Sequence, residues 1–97
     1  MNVIGLVCSP RKEGNTEILI TQALNSAKES GAQTEMLHVA DLAISPCDAC
    51  GACASEGICV VEDDMQIVYE KLDWADGILF GTPVYFFNVS AQAKAII

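Results

Sequence analysis

NVIGLVCSPRKEGNTEILITQALNSAKES, residues 2–30, reads as a strand, a polar loop and a helix in immediate succession. Asn2 to Cys8 is a short unbroken apolar run, the pattern of a strand covered on both faces. SPRKEGN is rich in turn residues. From Thr16 to Ser30, the residues Ile18, Leu19, Ala23, Leu24 and Ala27 recur at helical spacing and predict one inward face. Asn15 or Thr16 can cap the start of that helix, and Gly31 fits the position just past its end. A doubly covered strand running into a helix is the building unit of a parallel α/β sheet.

Further along, TEMLHV (34–39) predicts a second strand, and 40–62 an irregular stretch. DDMQIVYEKLDWA (63–75) predicts a helix opening at Asp63, with Met65, Val68, Tyr69 and Leu72 on one face. DGILFG (76–81) is a third, very apolar strand, TPVYFFN (82–88) a loop, and VSAQAKAII (89–97) the beginning of a third helix. This alternation implies right-handed crossovers and a doubly wound sheet in strand order 2-1-3. The third strand would carry an unpaired apolar edge, which natural sheets avoid, and the third helix stops without Gly, Pro or cap. The expectation is that residues 1–97 are the N-terminal portion of a larger single domain.

Composition narrows the function. Apolar residues are 52% of the chain and charged ones 19%, a globular balance. Thirteen acidic residues against five basic ones give a net charge of −8, which argues against nucleic acid as a partner. No apolar run approaches the ~18 residues of a membrane span. MNVIGLVCSP has a short apolar run with no basic residue before it, so neither a secretory signal nor a lipoprotein site is expected there. Five cysteines without such a signal imply a reducing, cytoplasmic setting in which clustered thiols hold metal.

Two places carry candidate chemistry. In SPRKEGNT, Ser9 and Thr16 offer hydroxyls, Asn15 an amide and Arg11 a guanidinium beside a helix N-terminus, a set suited to phosphate. Neither G-x-x-x-x-G-K-[ST] nor G-x-G-x-x-G is present. In the 2-1-3 order the winding reverses between strands one and three, which sets SPRKEGNT beside TPVYFFN, where Pro83, Tyr85 and Phe86 could face a flat ring. The competing readings are an ordinary polar turn and a buried aromatic cluster. The second place is CDACGACASEGIC, 47–59, within a loop spanning 46–60. Its cysteines Cys47, Cys50, Cys53 and Cys59 are spaced x2, x2 and x5. Such close spacing suits an iron–sulfur cubane better than zinc, which more often uses two separated C-x2-C knuckles; zinc and free redox thiols remain as alternatives. Cys59 is followed by Val60 rather than Pro and can close the same cluster.

SPRKEGNT, CDACGACASEGIC with the following VVEDDM, and ADGILFGTPVYFFNVSAQAKA occur in order across nearly the whole chain. Together they resemble the iron–sulfur flavoproteins of the flavodoxin-like, NADPH-dependent FMN reductase group. The resemblance implies FMN at the switch point. Ser9, Arg11, Asn15 and Thr16 would hold its phosphate, and the backbone of Pro83, Val84, Tyr85 and Phe86 would lie against the isoalloxazine. It also implies a 4Fe–4S cluster on Cys47, Cys50, Cys53 and Cys59 that exchanges electrons with FMN, no acid or base residue, and a homo-oligomer pairing one subunit's cluster with another's flavin. A small redox carrier such as ferredoxin, or NAD(P)H, is the implied partner. Cys8 stands where the family often has Gly, and a buried strand-end thiol is expected there. The alternatives are an NAD(P)H-dependent FMN or quinone reductase with incidental cysteines, and a zinc-stabilised binding module without catalysis. His38 is expected at the surface of an edge strand, Asp63 and Asp64 as helix-dipole partners, and Trp74 against the sheet.

Overall fold

The computed structural model describes residues 1–97. Strands β1 (Asn2–Val7), β2 (Gln33–His38) and β3 (Gly77–Gly81) form one parallel sheet in the order β2-β1-β3. The helices are α1 (Asn15–Glu29), α2 (Cys53–Glu56), α3 (Met65–Trp74) and α4 (Ala91–Ile96), with a 3-10 turn at Val39–Asp41. The 40–62 stretch is therefore not wholly irregular, since Cys53 opens one short helical turn. No helix is long and apolar enough to cross a membrane.

β1 is the centre of the molecule. Val3, Ile4, Leu6 and Val7 are all buried, because α1 covers one face and α3 and α4 the other. On the first face Val3 and Val7 pack with Ile20 and Leu24. On the second, Ile4, Leu6 and Cys8 pack with Val39 and Ala93, and Leu72 and Trp74 close around them. Val7 pairs with both His38 and Gly81, so β1 and β3 end level with each other. The loops that follow them consequently emerge side by side.

The inward face of α1 differs from the expected one. Ile20 and Leu24 are buried with Ala27 beside them, while Ile18 and Leu19 are 53% and 70% exposed. Three consecutive apolar residues, Ile18–Ile20, leave the helical phase open in the sequence; the sheet fixes it. A Cβ at Gly5 would lie 2.6 Å from Ile20 Cγ2, and one at Gly81 2.8 Å from Ile20 Cγ1, so the two glycines make the hollow that admits Ile20. α1 also begins one residue early. Its cap is Gly14, with no side-chain hydrogen bond, rather than Asn15 or Thr16.

On β3, Ile78 and Phe80 pair with Ile4 and Leu6 yet are 53% and 42% exposed. Trp74 packs against the second face as expected, and its carbonyl accepts from Asn2 Nδ2 at 3.1 Å. His38 is not a free surface residue: its ring meets the carboxylate of Glu17, tying the end of β2 to the first turn of α1.

Candidate functional site

At the C-terminal ends of β1 and β3 lies a cavity of about 410 Å³ lined by Ser9, Arg11, Asn15, Thr16, Pro83, Val84 and Tyr85. It brings together seven of the eight residues that sequence reasoning assigned to a phosphate-and-ring site. The floor is fixed by the strands, since the Cys8 N–H donates to the Gly81 carbonyl at 2.8 Å. One wall is the loop entering α1. Ser9 is buried, its Oγ accepting from the Arg11 N–H at 3.2 Å, which folds the loop back on itself. No side chain caps α1, so its first-turn amides keep their donor capacity and the positive end of the helix dipole. Arg11 lies against Gly14 and makes no ion pair, whereas Lys12 is engaged by Asp41 at 2.9 Å. The hydrogen bond to Asp41 holds the Lys12 ammonium above its ordinary pKa. Arg11 is thus the free cation of the cleft.

The other wall is the turn after β3. Tyr85 and Asn88 exchange backbone hydrogen bonds of 2.9 and 3.0 Å, and the two residues between them, Phe86 and Phe87, have φ of +48° and +65°. A primed hairpin turn needs two positive φ values and normally uses Asn or Gly there; two aromatics cost about 1–2 kcal/mol each. Strain of that kind persists where the surroundings impose it, and it collects at binding sites. Burial does not explain the aromatics, because Val84, Phe86 and Phe87 are 78%, 87% and 95% exposed. Phe86 does not reach the cavity, its ring meeting Phe87 edge-on at 5.8 Å instead.

The cysteine loop stands apart from this cleft. Cys47, Cys50 and Cys53 are exposed, Cys59 is half-buried, and all are free thiols. The chain between them turns through left-handed backbone at Ala49, Gly51 and Gly57. The Ala49 N–H donates to Cys47 Sγ at 3.3 Å and the Val61 N–H to Cys59 Sγ at 3.4 Å, contacts that orient the two sulfurs. The four sulfurs do not converge, for no three Cys, His, Asp or Glu side chains stand at metal-holding spacing. As a donor set the four soft thiols fit an iron–sulfur or zinc centre, and such loops acquire their ligand geometry together with the metal.

Asp63 and Asp64 do more than complement a helix dipole. Asp63 accepts from the Ser45 N–H at 2.7 Å and the Met65 N–H at 2.8 Å, and Asp64 from the Ala43 N–H at 2.7 Å. They anchor the chain entering the cysteine loop to the start of α3, which begins at Met65 rather than Asp63. Sequence reasoning missed this clamp; its signal is a pair of adjacent acids directly after a long loop.

Cys8 is fully buried, and desolvation pushes its thiol pKa up to about 11. It faces the second core rather than the cleft, with Sγ 4.0 Å from the Leu6 carbonyl oxygen.

A parallel sheet in this order with a polar cleft at its winding reversal defines a flavodoxin-like α/β protein. Residues 1–97 match the family of NADPH-dependent FMN reductases, and the chain belongs to that family. It is 46% identical over its full length to an iron-sulfur flavoprotein of Methanocaldococcus jannaschii, covering 50% of that protein. It is also 45% identical over 99% of its length to an iron-sulfur flavoprotein of Methanosarcina thermophila, again covering 50%. The chain thus spans about half the length of these curated relatives. Among solved structures, a flavone reductase superposes over 99% of this chain and 28% of its own, with a TM-score of 0.78 and 25% identity. An NADH:FMN oxidoreductase superposes with a TM-score of 0.71 over 98% of this chain and 47% of its own, at 22% identity.

Proposed function

We propose that the protein is an oxidoreductase of the iron–sulfur flavoprotein type, binding FMN in the cleft between the β1 and β3 loops. The observation that carries this is the convergence of Ser9, Arg11, Asn15 and Thr16 with Pro83, Val84 and Tyr85 around one cavity. The uncapped α1 N-terminus, the Arg11 guanidinium and the Ser9 and Thr16 hydroxyls would receive the phosphate. The strained turn from Pro83 to Phe86 would lay backbone against the isoalloxazine. Cys47, Cys50, Cys53 and Cys59 would hold a 4Fe–4S cluster, as the relatives' names suggest. When bound, the flavin exchanges electrons in pairs or singly and the cluster exchanges them singly. The chain's own residues need move no proton; they position the groups and exclude alternatives.

Residues 1–97 form in this reading the N-terminal portion of one flavin-binding domain, with further strands beyond β3 shielding Ile78 and Phe80. A homo-oligomer, and a small redox carrier such as ferredoxin as partner, belong to the same proposal. The test is the absorption spectrum of anaerobically purified full-length protein, together with flavin, iron and sulfide analysis. FMN with about four irons and four sulfides per chain is the expected result. Stoichiometric zinc without iron overturns the cluster assignment, and absence of flavin overturns the cleft assignment.

A second reading is an NAD(P)H-dependent FMN or quinone reductase without a cluster. It is favoured by the nicotinamide in the matched family's description. Rapid flavin reduction by NAD(P)H, undiminished when the four cysteines are changed to serine, would select it.

A further inference from the structure

The two walls of the cleft are joined through one residue, Ser90, by its hydroxyl on one side and its backbone N–H on the other. Its hydroxyl is fully buried, 82 residues away in sequence from the carbonyl to which it donates, that of Cys8, at 2.5 Å. The same oxygen accepts from the Ala93 N–H at 3.1 Å and caps α4. The Ser90 N–H donates to Thr82 Oγ1 at 3.0 Å, and that hydroxyl donates to the Pro83 carbonyl at 2.9 Å. A continuous chain of hydrogen bonds therefore runs from the last residue before the Ser9–Thr16 loop, through Ser90, to the first residues of the Pro83–Tyr85 wall.

The consequence for the cleft follows from peptide geometry. In a planar trans peptide the C=O of one residue and the N–H of the next point in opposite directions. The Cys8 N–H is already committed to Gly81, and its C=O to Ser90. Together these fix the plane of the Cys8–Ser9 peptide and aim the Ser9 N–H away from Ser90. The Ser9 N–H has no hydrogen-bond partner within the chain, and Ser9 lines the cavity. A capping role alone would require the Ala93 contact but not the contact with Cys8.

We propose that Ser90 is a positioning residue of the cleft: by holding the Cys8 carbonyl and the Thr82 hydroxyl at once, it sets the direction of the Ser9 amide donor and the spacing of the two walls for a phosphate-bearing flavin. This rests on the FMN reading of the cleft and adds to it a residue that touches no ligand. The chemistry it serves is recognition of the phosphate dianion, so its loss falls on FMN more than on riboflavin.

The experiment titrates FMN and riboflavin into flavin-stripped full-length protein by flavin fluorescence, for the wild type, Ser90→Ala, Thr82→Val, Thr82→Ser and a control, Val68→Ala. Val68 is buried on α3 and belongs to neither wall. Ser90→Ala is expected to lower the preference for FMN over riboflavin about tenfold, the size of one charge-assisted hydrogen bond. Thr82→Val lowers it less, Thr82→Ser restores it, and Val68→Ala leaves it unchanged despite lost stability. If Ser90→Ala does not fold, the Thr82 pair decides: equal preference in Thr82→Val and wild type overturns the proposal. A Ser90→Ala protein that folds and keeps the wild-type preference overturns it too. A wild type that binds neither flavin overturns the FMN reading and this inference with it.

Discussion

Gly5 and Ile20 meet with no room for a methyl group between them: a Cβ on Gly5 would stand 2.6 Å from Ile20 Cγ2 and 2.9 Å from Leu24 Cδ1. The branched carbon of Ile20 cannot swing aside as a chain end would, so α1 must retreat from the sheet. Gly5→Ala is expected to destabilise the protein by about 1–3 kcal/mol, the usual cost of overpacking. Urea unfolding of the full-length protein reads this directly. Because α1 also carries Asn15 and Thr16 at its start, flavin affinity should fall with it. A midpoint equal to wild type would show that Ile20 is not seated as described.

That contact also marks where the sequence was legible. β1 stands out because a strand covered on both faces reads as an unbroken apolar run, β3 because it is just as apolar though one of its faces stays exposed, and their order follows from alternation with helices. Once the order was given, the meeting of Ser9–Thr16 with Pro83–Tyr85 was a matter of topology. The phase of α1 was not legible, because Ile18, Leu19 and Ile20 are equally apolar and only Gly5 and Gly81 choose among them. The outward direction of the Phe86 ring is not legible for a related reason: the residue type shows an aromatic, while the positive φ that turns it is set by the Tyr85–Asn88 pairing. The spacing of Cys47 to Cys59 discloses a donor set but not the path of the loop between the thiols.

Arg11 is the cleft's free cation, so its role should separate cleanly from stability. Arg11→Gln is expected to weaken FMN binding about tenfold to a hundredfold, the range for losing a charge-assisted contact. Riboflavin, which lacks the phosphate, should bind as before. A matching loss for both ligands would assign Arg11 to the ring or to folding instead.

Burial and a pKa of about 11 leave Cys8 without thiolate near neutrality. After removal of any bound metal, iodoacetamide at pH 8 should add to Cys47, Cys50, Cys53 and Cys59 in the folded protein. Cys8 should react only once denaturant is present. Intact-mass measurement would show four adducts before a fifth; five arriving together would contradict the burial.

The clamp at Asp63 predicts a local loss. Asp63→Ala removes the acceptor for two backbone N–H groups, those of Ser45 and Met65, and should cost about 1–3 kcal/mol. Hydrogen exchange should speed up at residues 43–47 and in the first turn of α3, while β1 stays protected. Asp63→Asn keeps one acceptor oxygen and should recover part of the loss. Uniform acceleration across the sheet would mean that Asp63 supports the whole domain rather than the entry to the cysteine loop.

Glu17 gives the fold a dependence on pH whose sign can be worked out. Its carboxyl is held below its ordinary value of 4.5, chiefly by the hydrogen bond from His38, then by the backbone at Glu13, with Lys12 adding attraction. A carboxylate depressed in the folded state contributes stability that is present above the unfolded pKa and lost as pH falls through the folded one. Glu17→Gln should therefore be less stable than wild type at pH 6, and the gap should narrow as acid protonates the wild-type carboxylate below pH 4.5. His38→Ala should remove most of the same gap, because it deletes the largest source of the depression and frees the end of β2 from α1. Denaturant midpoints of the three proteins between pH 3 and pH 7 test this. A gap that does not narrow below pH 4.5 would show that the Glu17 carboxylate charge is not what stabilises the fold.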